Sequence, residues 1–290
     1  MKAARFEYHA PTTVDEAAAL LSAFSGDAKV LGGGQSLVPL LVLRLTRFAH
    51  LIDLNRIEAL SYIRLDESVL SIGATTRQAT AEHSNDVAAA SPLLRTAIPH
   101  IGHFQIRNRG TIGGSIAHAD PASELPLLAR VLDAELELES VRGQRRVSAN
   151  DFFLSMWETT AEEDEILTAV HFPVKTARSG YGFEELALRL GDFALAGSAC
   201  AVTLSPSGSI VKASVGLLGM DQTPIRASRA EEALIGQMPD DVDATEVAAL
   251  AVAATAPRGD VPASAAYRRR VGAVMVERAL TSAMKEAAHG

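Results

Sequence analysis

One cysteine, one tryptophan and an aromatic content of only 5% are the scarcities of this 290-residue chain. A single thiol, Cys200, excludes an internal disulfide and any iron-sulfur cluster or zinc site built here from thiolates alone. No basic surplus exists either: 27 Lys and Arg stand against 35 Asp and Glu, a net charge of -8. A nucleic-acid partner, which needs phosphate neutralisation, is therefore not expected. Long apolar runs are absent too. The longest, Leu37 to Leu43, is broken by Pro39 and stops at Arg44, far short of the ~20 residues a membrane helix needs. The first ten residues hold Lys2 and Arg5 with no apolar stretch behind them, so no leader and a cytoplasmic address are expected.

What is present suits a soluble α+β protein with a sizeable core, 48% of the residues being apolar. Thr13 and Glu16 read as a capping box opening a helix over 14–23, and 29–31 reads as a strand running into Gly32, Gly33 and Gly34. Ser36 is the expected cap of a helix over 37–45. Strands are expected at 50–54, 62–65, 69–72, 134–140 and 165–172, and helices at 76–83, 92–100 and 123–132. The segment 105–115 carries three glycines without either period and reads as a constrained loop. A polar connection over 173–180 marks a domain boundary. Beyond it come strands at 181–188, 198–204 and 210–218, then alanine-rich helix from Arg229 onward.

Two glycine clusters carry the chemistry. In Gly32-Gly33-Gly34-Gln35-Ser36-Leu37 the backbone is free to approach an anion closely and aim N–H groups at it, the outline of a diphosphate cradle. The spacing is neither G-x-G-x-x-G nor a P-loop, and a plain tight turn fits these residues equally well. A second cluster, Thr111-Ile112-Gly113-Gly114-Ser115 followed by Ala117, offers further amide donors and two hydroxyls, though it too is readable as a structural turn. Asp120 suits either a sugar-hydroxyl acceptor or a helix cap. A valine at Gly33 is expected to fill the space a diphosphate needs.

Around these clusters the sequence resembles one family. Gly33 to Leu41 with Leu43-Arg44-Leu45, Thr111 to Ser115 with Ala119 to Ser123 and Leu125-Pro126, and Gly191-Asp192-Phe193-Ala194 before Gly197 are similar to three motifs of the FAD-binding medium subunit of the carbon monoxide dehydrogenase and xanthine dehydrogenase family. The resemblance implies a two-part FAD domain of the vanillyl-alcohol-oxidase (PCMH) type over 1–176, its halves near 1–56 and 57–176. A small C-terminal domain of three antiparallel strands and helices is implied over 177–290.

It also implies an oxidoreductase subunit with FAD on this chain, and partner chains consisting of a large molybdopterin subunit and a small [2Fe-2S] subunit, paired as a dimer of heterotrimers. Gly32, Gly33, Gly34, Gln35, Ser36 and Leu37, with Thr111, Ile112, Gly113, Gly114, Ser115 and Ala117, are implied on the diphosphate and nearby sugar. Asp120 is implied on a polar part of the cofactor and Phe193 near the isoalloxazine, without the hydroxyl of the tyrosine some relatives carry. Glu185 stands where several relatives have lysine, and no role is assigned to it. Because the flavin's chemistry is electron transfer, no catalytic nucleophile or acid-base pair is assigned, and no metal ligand. A self-contained FAD oxidase and a non-catalytic nucleotide-binding protein are the alternatives.

Among the remaining residues, His100 and His103 lack a third ligand close in sequence. His118 suits a cofactor contact or solvent. Arg107 and Arg109 suit a phosphate or a partner. Cys200, Trp157 and the Phe152-Phe153 pair are expected in the core. The clusters Arg142, Arg145, Arg146 and Arg268, Arg269, Arg270 are expected on solvated faces or partner contacts.

Overall fold

The computed structural model describes residues 2–289. Its N-terminal unit contains β1 (Glu7–His9), α1 (Val14–Ala23), β2 (Ala28–Leu31), α2 (Leu37–Val42) and β3 (His50–Asp53). The three strands form a parallel sheet in the order β1-β3-β2. The apolar face of α1, with Ala17, Ala18 and Leu21, closes a small core with Ile52, Leu54, Ile57 and Leu60. Thr13 caps α1 by accepting from the Glu16 N–H, and Glu16 reaches back to the N–H of Thr12.

The middle unit begins with β4 (Ile63–Leu65) and β5 (Val69–Gly73), which are followed by α3 (Gln78–Glu82), α4 (Asn85–Ala90), α5 (Pro92–Ala97), α6 (Phe104–Arg107), α7 (Ile112–His118) and α8 (Glu124–Val131). It ends with β6 (Glu135–Ser140), β7 (Gly143–Ser148), α9 (Ala149–Phe152), the small hairpin β8 (Phe153–Ser155) and β9 (Glu158–Thr159), and β10 (Ile166–Pro173). An antiparallel sheet of order β4-β5-β10-β6-β7 backs these helices.

The C-terminal unit is an antiparallel sheet of β11 (Ser179–Ala187), β12 (Ala194–Leu204), β13 (Ile210–Leu218) and β14 (Ile225–Arg226), with α10 (Ser228–Leu234), α11 (Ala244–Ala253) and α12 (Ala265–His289). Helix α12 packs on β11 and β12, α10 on β13, and α11 on those two helices; α5 and α8 of the middle unit touch strands of the same sheet. Gly180 and Gly182 let α12 lie on β11 so closely that a Cβ at either would meet its backbone at about 2 Å. Phe183, Ala194, Ala199 and Leu218 belong to the middle unit's core, so packing is continuous across the 173–180 connection.

Several local expectations are corrected. Ser36 is itself in the helical region and makes no side-chain cap bond, and α2 stops at Val42 because Arg44 turns left-handed at φ 58°. The stretch 105–115 is not loop throughout, since α6 and the start of α7 lie in it. Glycines at 113 and 114 lower helix propensity enough to hide α7 from a periodicity reading. The C-terminal sheet has a fourth strand, the two-residue β14, too short to show alternation. Trp157 is 56% exposed rather than buried, whereas Phe152 and Phe153 do lie in the core. Arg268 is buried, donating to the Leu195 carbonyl and to Asp260.

Candidate functional site

Between β2, α2 and the end of β3 opens a cleft of about 390 Å³, lined by Leu31, Gly32, Gly33, Gly34, Gln35, Val38, Pro39, Asp53, Asn55 and Arg109. Two carbonyls of the glycine run are taken by side-chain amides. Asn55 Nδ2 donates to the Gly32 oxygen and Gln35 Nε2 to that of Gly33, each at 2.9 Å. The N–H groups of Gly33, Gly34, Gln35 and Ser36 donate to no acceptor among the described residues. Four amides in a row without an internal acceptor are a concave donor set for an anion.

Behind it, Arg77 donates to Asn55 Oδ1 at 2.6 Å and to the Arg109 carbonyl, tying the two glycine segments together. Burial, and then the neighbouring Arg109, lower the pKa of Arg77. Asp53 would oppose an anion, but it is engaged: Tyr8 Oη, the Asn55 N–H and Asn55 Nδ2 all donate to its carboxylate. Neither Asn55 nor Arg77 is distinguishable in the sequence, because only the tertiary arrangement gives them a part.

The second glycine segment behaves differently from the expectation of further free donors. The Ile112 N–H donates to Thr76 O, Gly113 to Ala74 O, Gly114 to Thr111 Oγ1 and Ser115 to Thr111 O. Thr111 is the N-cap of α7 and is buried, as are Ile112 and Gly113. Gly113 must be glycine for another reason than a ligand: its Cβ would lie 2.4 Å from that of Ala74. The exposed side of α7 consists of Gly114 and Ala117, with Ser115 and His118 half-buried. The two segments nevertheless touch, since a Cβ on Gly32 would meet Thr111 Oγ1 at 3.0 Å.

Asp120 Oδ1 accepts from the Ala122 N–H and Oδ2 from Trp157 Nε1 at 3.1 Å. The Trp157 ring stacks on His118 at 6.2 Å, and burial lowers the His118 pKa against the pull of Asp120. Leu37 is the first residue of α2 and does not line the cleft. Phe193 is not there either. It lies 66% exposed on the β11–β12 loop, whose Gly191 rests against the His103 ring. Beside that loop a second cleft of about 370 Å³ is lined by Pro99, Gly102, His103, Phe104, Gln105, Arg107 and Leu190. With Phe104, Leu190 and Phe193 all more than 60% exposed, this is an apolar surface.

Behind that surface, Glu185 lies almost fully enclosed on β11, opposite Gly197, its Oε1 4.0 Å from His100 Nδ1. Burial, and secondarily Glu124, raise the Glu185 pKa to about 8, and burial raises that of Glu124 to about 7. Arg107 is not free for a partner, because it forms a two-pronged ion pair with Glu82 and donates to the carbonyls of Ile101 and Gly102. Arg142 and Arg145 are likewise paired, with Glu162, Asp164 and Glu165. Cys200 is fully buried, and burial pushes its thiol up to about 12, which makes it inert.

Comparison with known proteins matches residues 4–175 to the FAD binding domain in molybdopterin dehydrogenase and 181–283 to the CO dehydrogenase flavoprotein C-terminal domain. The chain belongs to this flavoprotein family. Among its relatives, the alpha subunit of the 6-hydroxypseudooxynicotine dehydrogenase complex of Paenarthrobacter nicotinovorans is 39% identical, over 99% of this chain and 97% of that one. The carbon monoxide dehydrogenase medium chain of Afipia carboxidovorans is 38% identical, over 97% and 98%.

Solved structures agree. A carbon monoxide dehydrogenase from Hydrogenophaga pseudoflava superimposes with a TM-score of 0.95 at 39% identity, over 99% of both chains. Quinoline 2-oxidoreductase from Pseudomonas putida 86 superimposes at 0.93 with 34% identity, over 99% of both. The molecule is thus a medium, FAD-binding subunit of a molybdenum hydroxylase of the carbon monoxide dehydrogenase type, an oxidoreductase component. The donor set fits the cofactor: of the four residues with unpaired amides, Gly33, Gly34 and Gln35 line the cleft and Ser36 follows them, a row of donors such as a dinucleotide's diphosphate requires.

Proposed function

We propose that this subunit relays electrons from the [2Fe-2S] clusters of a small partner subunit, through FAD, to an external acceptor. A large molybdopterin subunit oxidises the organic substrate, and two such three-subunit units pair. The reading is carried chiefly by the row of amides from Gly33 to Ser36, which have no acceptor among the described residues and of which Gly33, Gly34 and Gln35 line the cleft. These hold the diphosphate. Asn55 and Gln35 turn the carbonyls of Gly32 and Gly33 away from it, and Arg77 fixes Asn55.

Thr111, Ile112, Gly113, Gly114, Ser115 and Ala117 act less as donors than as the wall that closes the site, with the Ser115 hydroxyl and the surface of Gly114 and Ala117 toward the sugar. Asp120 positions Trp157 and His118 beside that wall. Phe193, on an exposed apolar loop, covers the isoalloxazine. When bound, FAD would supply the electron-transfer chemistry. This chain's residues hold and shield it, within a FAD domain over 1–176 and a supporting domain over 177–290.

The relatives named above act on chemically unrelated substrates, among them carbon monoxide, a nicotine derivative and quinoline, at nearly constant flavoprotein fold. That constancy suits a subunit that does not select the substrate. The test is gentle purification of the tagged chain from its host, followed by a visible spectrum. Flavin and iron-sulfur absorption together, with two further polypeptides, is the expected result; flavin without clusters or partners overturns the relay in favour of a self-contained flavoenzyme.

A further inference from the structure

On the edge of the N-terminal sheet, away from the glycine cleft, three ligating side chains converge. Strands β1 and β3 pair in parallel with Glu7 opposite His50. Residues at i and i+2 of a strand share a face, so Glu7, His9 and His50 project on one side. Their ligating atoms all lie within 4.8 Å of one another. His9 Nε2 is 3.1 Å from His50 Nδ1, and His50 Nδ1 is 3.6 Å from Glu7 Oε2.

The geometry points to a site for one divalent transition-metal ion of the zinc class, held by Glu7, His9 and His50. Ligands bound at about 2.1 Å in a tetrahedron stand ~3.4 Å apart; the His9–His50 and His50–Glu7 separations bracket that value, and the third pair lies within 4.8 Å. A hydrogen bond between the two rings accounts for the first approach only. The strand register sets the Glu7 carboxylate opposite the same imidazole nitrogen, so that both groups converge on one point.

Two imidazoles and one carboxylate suit Zn2+, Ni2+ or Cu2+ and disfavour Mg2+ and Ca2+, which seek oxygen-only shells. The histidine rings are pre-oriented. Phe24, at the C-cap of α1, stacks on His50 at 3.7 Å and 6° and packs on His9 at 5.1 Å. Fixed rings lower the entropy lost on binding. Glu7 is largely exposed, so the fourth position faces solvent and takes water.

In this place the ion clamps a three-residue edge strand to the central strand of the sheet. It ties together residues 41 apart in the chain, upstream of Asp53 and Asn55. The clamp is independent of the flavin assignment, since none of its ligands lines the cleft.

The test uses the full-length protein in its assembled complex, stripped with chelator, dialysed against micromolar Zn2+ and gel-filtered, with zinc counted by plasma mass spectrometry. Wild type should retain one zinc equivalent per chain more than a His9→Gln/His50→Gln double variant. Added Zn2+ should raise the melting temperature of wild type alone, and Mg2+ should do neither. Equal zinc content in wild type and variant overturns the site. If the double variant fails to assemble, Glu7→Gln decides the matter, because that side chain is exposed and its loss cannot prevent folding. An affinity for Zn2+ at least tenfold weaker supports the site, and an unchanged affinity removes it.

Discussion

Gly33 and Gly110 approach so closely that a Cβ added to Gly33 would lie 2.7 Å from the Gly110 Cα and 2.3 Å from the Arg109 carbonyl oxygen. The absent side chain at Gly33 thus leaves room for the second glycine segment rather than for a ligand, contrary to the expectation from sequence. Gly33→Ala should separate the two segments and destabilise the protein by about 1–3 kcal/mol, the usual penalty of overpacking. Flavin loss should accompany it. Flavin per polypeptide and a denaturant midpoint measure both, and an alanine variant with wild-type midpoint would show that the segments yield freely.

Asn55 offers a separable test of the cradle. Its amide donates to Gly32 O while its oxygen accepts from Arg77, so Asn55→Ala frees a carbonyl to face the bound anion. The flavin dissociation constant should rise about tenfold, the equivalent of one hydrogen bond, with near-UV circular dichroism unchanged. Titration of the flavin-stripped protein with FAD reads this directly.

Glu185 carries a pH dependence whose sign is fixed by burial. Its carboxyl is held near a pKa of about 8 against an ordinary value of 4.5, first by burial and then by Glu124. Between those values the folded chain keeps a proton that the unfolded chain releases, so stability falls as pH rises from 4.5 to about 8 and then levels off. Glu185→Gln should match wild type near pH 4.5 and exceed it at pH 8 by on the order of 4 kcal/mol. Glu124 adds a slope of the same sign over a shorter range, up to about pH 7. Thermal melts at both pH values distinguish this from a parallel shift.

Arg107 is predicted to matter for folding rather than for a phosphate or a partner. Its guanidinium and the Glu82 carboxylate are both largely buried, and the same guanidinium holds the carbonyls of Ile101 and Gly102. Arg107→Ala leaves an unpaired buried carboxylate and should cost about 3–5 kcal/mol. Arg107→Lys should recover only part of this, because an ammonium lacks the planar fork. Chemical denaturation of the two variants gives the comparison.

Much of this protein was written locally. The boundaries of α1 and β13, the strand that enters the glycine run, and the burial of Cys200 follow from period, capping and turn chemistry, which act over a few residues. The motifs that placed the chain among FAD-binding medium subunits are equally local, since a cradle for a diphosphate is built mostly from consecutive backbone groups.

Tertiary structure alone decided which of those groups remain available. The amides of 112–115 looked as free as those of 33–36, yet Ala74, Thr76 and Thr111 engage them. Two of these partners arrive from the turn after β5, far upstream, where no pattern within 105–115 records them. The same holds for Trp157, which a composition-based reading buries and which lies instead at the surface on Asp120. It holds for His9 and His50, unremarkable until parallel pairing sets them 3.1 Å apart. Periodicity tells each residue which side of its element to face; only chain closure tells it what stands on the other side.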